Sequence, residues 1–87
     1  MSKMISLYHI QKVGLTNWRN KEWWDKQMVN IWSNEHGGWW RPNAEGYTSI
    51  RSEAWVIDFP TAYERTEHCG PEKKISFCAL PQTHGSE

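Results

Sequence analysis

The chain has 87 residues, and its ten Lys and Arg are balanced by ten Asp and Glu, so its net charge is zero. This length allows one domain with a small core, and the lack of a basic excess argues against a non-specific nucleic-acid binder. No stretch approaches the roughly 20 apolar residues of a membrane span, and the N-terminus lacks the apolar run of a secretory signal. We therefore expect a cytoplasmic protein with no membrane association.

Charged residues are unevenly distributed along the chain, and tryptophan is unusually frequent. Residues 1–42 carry a net charge of +3 and residues 43–87 a net charge of −3, a pattern typical of two halves that attract each other and less often of a functional basic face. The chain is rich in tryptophan, with seven Trp beside three Tyr and two Phe. Because tryptophan is rarely fully buried, some of the seven are expected at the surface, where they could contact a partner.

The first half of the chain contains one predicted strand and one ambiguous segment. Residues 5–13 alternate in part between apolar and polar side chains, which predicts a first strand that ends at Gly14. Residues 15–35 fit a helix over 21–33 capped by Asn20, or an ordered loop anchored by tryptophans. We favour the helix because four apolar residues share one helical face. They are Trp24, Met28, Ile31 and Trp32.

A β-hairpin is predicted next, with residues 38–41 as one strand and residues 46–50 as the other. Pro42 presets the backbone at the start of the turn, Asn43 tolerates left-handed geometry, and Gly46 suits a positive φ. The two adjacent tryptophans of the first strand should point to opposite faces of the sheet, one of them into the core.

A short helix and a final strand complete the prediction. The helix begins after Asp58, its expected N-cap, with a capping box from Thr61 as the alternative, and it stops before Gly70. Its apolar face consists of Phe59, Ala62, Tyr63 and Thr66. Residues 74–80 form the last strand.

These elements predict the α+β class: a small, mainly antiparallel sheet of three to four strands, with one or two short helices on one face. We expect residues 1–81 to form a single compact domain and residues 82–87 a flexible tail.

Residues 38–63 contain a short series of motifs. They are Trp40-Arg41-Pro42-Asn43, Gly46-Tyr47-Thr48, Ala54 and Phe59-x-x-Ala62. This series resembles the core of a group of small, uncharacterised bacteriophage and prophage proteins, although Trp55 stands where that pattern has glycine and residues 15–35 look like an insertion. The resemblance implies a phage accessory protein in the cytoplasm of an infected bacterial host, and it implies no activity.

Residue types that commonly hold metals or act as nucleophiles are present but badly spaced. They are His9, His36, His68, Cys69 and Cys78. No recognised zinc-ligand pair occurs among them, which predicts no metal and no cofactor. Two thiols are expected in a cytoplasmic protein, and a disulfide between the cysteines is the alternative. Cys69 follows the predicted helix, whose C-terminal end disfavours a thiolate, so we predict that the protein is not an enzyme.

Candidate binding residues are the Trp, Tyr and Arg side chains that are enriched in interface hot spots. They are Trp39, Trp40, Arg41, Asn43 and Tyr47 in the hairpin, together with Trp23 and Trp24 before it. Trp18 could join the last two in anchoring a partner. The alternative is that the hairpin aromatics are core and that Arg41 stacks over a ring as a structural contact.

The function predicted from the sequence is binding of a host protein, or of another phage protein, by a non-enzymatic phage accessory protein. Inhibition of a host enzyme or defence system would be the consequence, and a homodimer is a further partnership that we considered. The alternative is a binder of single-stranded nucleic acid or nucleotides that stacks bases on exposed aromatics and contacts phosphates through Arg41, Arg19 and Lys21.

Overall fold

In the computed structural model, which describes residues 4–70 and 73–80, six short strands form one antiparallel sheet. The strands are β1 (Met4–Ser6), β2 (Met28–Ser33), β3 (Gly38–Trp40), β4 (Tyr47–Thr48), β5 (Ile57–Asp58) and β6 (Ile75–Ala79). The helices are α1 (Leu7–Val13), α2 (Leu15–Arg19) and α3 (Phe59–Thr66), and two 3₁₀ turns cover Pro42–Ala44 and Arg51–Glu53. The α+β class and the antiparallel sheet are confirmed, with more strands and helices than predicted. The predicted tail, residues 82–87, lies outside the described residues.

The central strand of the sheet is β2. The strand order is β1-β6-β2-β3-β4. Along one edge of β2, β5 pairs with the first residues of the strand and β3 pairs with its last residues. On its other side, β2 pairs with β6 over five positions, from Val29 opposite Ala79 to Ser33 opposite Ile75. The first and last strands of the described chain, β1 and β6, are therefore neighbours.

The predicted helix over residues 21–33 is wrong. Residues 21–26 form turns, and β2 begins at Met28. Val29 and Ile31 are completely buried on one face of the sheet, and these β-branched residues suit a strand that is paired on both sides. Trp32 lies on the opposite face from Ile31, so the predicted helical stripe does not exist. The alternative, an ordered loop anchored by tryptophans, describes the segment before β2.

The predicted strand over residues 5–13 is correct only at its beginning. β1 ends at Ser6, whose side chain caps α1 by accepting a hydrogen bond of 3.0 Å from the backbone N–H of His9. Leu7 and Ile10, three positions apart, are both buried, so the apolar residues follow the helical period here. Gly14 ends the helix at a φ of 108°, a conformation that favours glycine.

The predicted hairpin is confirmed in its pairing. Residues 39 and 40 lie opposite Thr48 and Tyr47 across an antiparallel ladder. The connecting turn places Asn43 at a φ of 61° and Gly46 at a φ of 102°, as expected of residues that tolerate left-handed geometry.

The short helix α3 is confirmed together with its apolar face. All four predicted residues of that face are buried. The Asp58 carboxylate accepts hydrogen bonds from the backbone N–H of Thr61 at 3.1 Å and from its hydroxyl at 2.7 Å, so the helix is capped at Asp58 and not at Thr61. The helix ends at Thr66, earlier than Gly70, and β6 lies within the predicted range of residues 74–80.

The core lies on one face of the sheet, beneath the three helices. Ile31 of β2 lies opposite Phe77 of β6, and both side chains are fully buried. They form one cluster with buried residues of every helix. These are Leu7, Ile10, Trp18, Phe59, Ala62 and Tyr63. The other face bears Asn30 and the paired Trp32 and Trp39. Arg51 of the second 3₁₀ turn contacts Asn30 and Trp39 there.

Candidate functional site

A cleft of about 990 Å³ opens beside β1 on the helical side of the sheet. Aromatic and polar side chains both line it, a combination that many ligand pockets share. The aromatic walls are Trp18, Trp23 and Phe59, and the polar side chains include His9, Lys21 and Gln27.

The three aromatic walls support one another through inclined ring contacts. Trp18 meets Trp23 edge-on, with centroids 6.0 Å apart and planes at 74°, and Trp23 lies 5.9 Å from Phe59 at 31°. On the core side, Trp24 stacks on Phe59 with the two ring centroids 4.5 Å apart. Trp18, Trp24 and Phe59 are buried, whereas Trp23 remains half-buried. Trp23 therefore provides the most accessible aromatic surface of the cleft.

Backbone hydrogen bonds hold the loop that carries Trp23. The carbonyl oxygen of Trp23 accepts from the N–H groups of Lys26 at 2.9 Å and of Gln27 at 2.8 Å. The carbonyl oxygen of Gln27 accepts at 2.8 Å from the N–H of Phe59, which joins this loop to the start of α3. The Gln27 amide donates to the carbonyl oxygens of Met28 and Leu80. Two walls of the cleft are thus fixed relative to each other by main-chain bonds.

The polar side of the cleft has cationic character. Lys21 Nζ lies 5.8 Å from the centroid of the Trp18 ring, and the His9 ring meets the same indole edge-on at 5.9 Å. No Asp or Glu is among the described residues that line the cleft. The indole N–H of Trp18 is buried and finds no acceptor within the described part of the chain, which costs about 1–3 kcal/mol for a buried donor. A bound group with negative charge would meet a complementary surface here.

The hairpin candidates do not line this cleft, and most of them have partners within the protein. Tyr47 is exposed, but its ring stacks on His36 with centroids 4.2 Å apart and planes at 15°. Arg41 Nη1 lies 3.7 Å from Glu53 Oε1 in an exposed ion pair. Asn43 is an exposed turn residue.

The two hairpin tryptophans point in opposite directions, as the alternation of a strand requires. Trp40 packs against the core cluster. Trp39 lies on the other face, 4.8 Å from Trp32, with the Arg51 guanidinium 5.2 Å from its ring centroid. The cation–π contact that we considered for Arg41 is made here by Arg51 instead.

Of the candidate residues selected from the sequence, the structure places Trp23 in the lining of the cleft and stacks Trp24 on Phe59 behind it. Sequence reasoning missed the contribution of His9, which it assigned to a strand, and of Phe59, which it treated only as core. The tryptophan density of residues 18–24 was the available signal, because tryptophan is rarely fully buried.

Neither cysteine is among the residues that line the aromatic cleft. Cys78 is buried, and Cys69 Sγ lies 3.9 Å from Nε2 of His68. The two cysteines form no disulfide with each other. A smaller cavity of about 420 Å³ is lined in part by Cys69, Asn34 and Lys74. Within residues 4–70 and 73–80, no group of three or more His, Cys, Asp and Glu side chains is placed to hold a metal ion.

Every described helix is too short or too polar to traverse a lipid bilayer. Comparison of the chain with protein-family models, with curated proteins and with solved structures found no match.

Proposed function

We propose that this chain is a non-enzymatic binding protein, and that it docks a segment of a partner protein in the cleft between Trp18, Trp23 and Phe59. The observation that carries the proposal is the half-buried Trp23, held on a rigid loop at the side of an aromatic cleft of about 990 Å³. Tryptophan in a partly desolvated pocket is the residue most typical of interface hot spots. A preformed aromatic wall also limits the entropy that is lost on binding.

At the hairpin, the contacts of the predicted phosphate- and base-binding side chains favour a protein partner over a nucleic acid. Binding to single strands relies on a basic groove and on exposed stacking platforms. In this chain Arg41 pairs with Glu53, Tyr47 stacks on His36, and the net charge is zero. Nucleic-acid binding would therefore compete with contacts that these side chains already make.

The resemblance of residues 38–63 to small phage proteins supports the choice of a bacterial host protein as the partner. In that setting the chain acts in the cytoplasm of an infected cell, where docking in the cleft would block a host enzyme or a defence protein. Binding is also favoured over nucleophilic catalysis because Cys69 lies just past the C-terminal end of α3, where the helix dipole disfavours a thiolate.

Affinity capture from bacterial lysate with matched variants tests this proposal. The wild type and a Trp39→Leu control should retain the same stoichiometric host protein, and Trp23→Leu should lose it while still unfolding in a cooperative thermal transition. Trp39 is a suitable control because it is also half-buried but lies on the opposite sheet face.

Equal retention by the Trp23→Leu variant would show that the cleft is not the docking site. Retention of nucleic acid alone, weakening steeply as salt rises, would overturn the proposal in favour of the alternative. Failure of the wild type to retain any protein at stoichiometric yield would also overturn it.

A further inference from the structure

We infer that the partner segment docked in the cleft carries an aromatic side chain next to an acidic one. The inference rests on the proposed function and specifies its ligand: the aromatic ring packs against the half-buried Trp23, and the carboxylate lies beside Lys21.

The ring geometry of the cleft favours an aromatic anchor. Trp18 and Trp23 are inclined at 74°, whereas Trp23 and Phe59 are inclined at only 31°. Trp18 and Phe59 are buried in contact with Trp23, so an incoming ring meets the accessible surface of Trp23, in one of the stacked or edge-on arrangements that aromatic pairs prefer. The volume of about 990 Å³ exceeds what one ring fills, which leaves room for the residues on either side of it.

The charge of the cleft favours an acidic neighbour. Lys21 is exposed, and its Nζ forms no ion pair with a carboxylate oxygen of the described residues. Lys73, by contrast, has its Nζ 3.5 Å from Oε1 of Glu35. The positive charge stands over the Trp18 ring, and the only other titratable side chain that lines the described part of the cleft is His9. A carboxylate on the ligand would therefore be attracted to Lys21, and no Asp or Glu of the described lining would compete for that lysine.

The surroundings of the cleft favour a peptide segment over a free small molecule. All three residues of β1 line the cleft, and β1 is the outermost strand on its side of the described sheet. Met4 on β1 and Tyr8 just after it are 47% and 59% exposed. A chain that leaves the cleft can cover these apolar side chains and run along the strand edge, a common mode of peptide recognition.

Titration of the full-length, ¹⁵N-labelled protein with blocked dipeptides tests the inference, because the indole N–H signals in NMR spectra report which tryptophan is contacted. The probes are acetyl-Asp-Phe-amide, acetyl-Asn-Phe-amide and acetyl-Lys-Phe-amide. We expect the Asp peptide to shift the signals of Trp18 and Trp23 and to bind about two- to fivefold more tightly than the Asn peptide, as for an exposed ion pair. The Lys peptide should bind most weakly.

A pair of lysine variants assigns the preference to one residue. Lys21→Met should make the affinities of the Asp and Asn peptides equal, and Lys26→Met should leave the difference unchanged. Lys26 is an exposed neighbour that does not line the cleft. Both variants remove one positive charge, so a general charge effect would change both titrations alike and would overturn the role of Lys21.

The remaining outcomes separate this inference from the proposed function. If the Asn peptide binds at Trp18 and Trp23 as tightly as the Asp peptide, the acidic neighbour is refuted but the cleft remains a docking site. If 3-phenylpropanoate binds as tightly as the Asp peptide, the ligand is a free aromatic acid and the peptide segment is refuted. If no probe shifts these two signals, or if only Trp39 shifts, both the inference and the proposed docking site fail.

Discussion

Asp58 links the stability of α3 to the cleft, because the helix that it caps begins with Phe59. Its carboxylate accepts two hydrogen bonds from Thr61, at 3.1 Å from the backbone N–H and at 2.7 Å from the hydroxyl. Asp58→Ala removes both bonds and leaves one helical N–H without its acceptor. Loss of an N-cap costs about 0.5–2 kcal/mol, and about 1 kcal/mol lowers the melting temperature of a domain of this size by about 4–8 °C.

The charge of Asp58 makes this contribution dependent on pH. Burial raises the pKa of Asp58, but the hydrogen bonds from Thr61, together with one from the backbone of Asp58 itself, outweigh it and hold the pKa below the ordinary value of 3.8. Because the folded-state pKa lies below the unfolded one, the stabilisation is fully present above the unfolded value. It is lost as the pH falls through the folded value. Asp58→Asn keeps an acceptor but no charge, so it should be about 0.3–1 kcal/mol less stable than wild type at neutral pH.

Urea denaturation followed by tryptophan fluorescence measures these differences. We expect the gap between wild type and Asp58→Asn to be constant from neutral pH down to about pH 5 and to narrow as the pH falls below about 4. The reasoning would be refuted by a gap that persists unchanged at the acid end, or by an Asp58→Ala variant as stable as wild type at neutral pH.

Two further predictions concern the sheet. Asn30 is buried, donates at 2.7 Å to the carbonyl oxygen of Trp55 and accepts at 3.0 Å from Arg51 Nε. Asn30→Ala should therefore lower the free energy of unfolding by about 1–3 kcal/mol, measured as a lower midpoint of urea denaturation. A Cβ on Gly38 would lie 3.2 Å from the Cβ of Tyr47 on the facing strand, so Gly38→Ala should cost about 1–3 kcal/mol in thermal unfolding. An unchanged midpoint in either variant would contradict the packing described for that residue.

The elements that could be predicted from the sequence are those with local determinants. For α3, the apolar spacing, the N-cap Asp58 and the early Pro60 all lie within a few residues, and they agree with one another. The hairpin is likewise specified by its own turn residues. In β2, by contrast, the apolar residues at positions 28, 29, 31 and 32 fit both the helical period and a strand. Pairing with β6, which is distant in sequence, makes this segment a strand, so no local pattern could distinguish the strand from a helix.

The candidate site was predictable only in part for the same reason. Trp23 and Trp24 could be selected as unusual residues, but their positions depend on how their loop bonds to the start of α3 at Phe59. The cleft also requires that β1 end at Ser6, so that α1 can place His9 against Trp18. The hairpin residues were attractive by type, yet Arg41 and its neighbours contact other parts of the protein. Residue type identified candidates, and tertiary contacts chose among them.

The position of β6 between β1 and β2 has a consequence for biosynthesis. The strand that is translated last among those described lies inside the sheet, so β1 has no partner there until β6 has emerged from the ribosome. The nascent chain meanwhile exposes Val29 and Ile31, an apolar strand of the kind that aggregates readily. Folding must wait for these distant pairings and is expected to be slow for so short a chain. A stop codon before residue 75 would therefore leave an aggregation-prone fragment and not a smaller working domain.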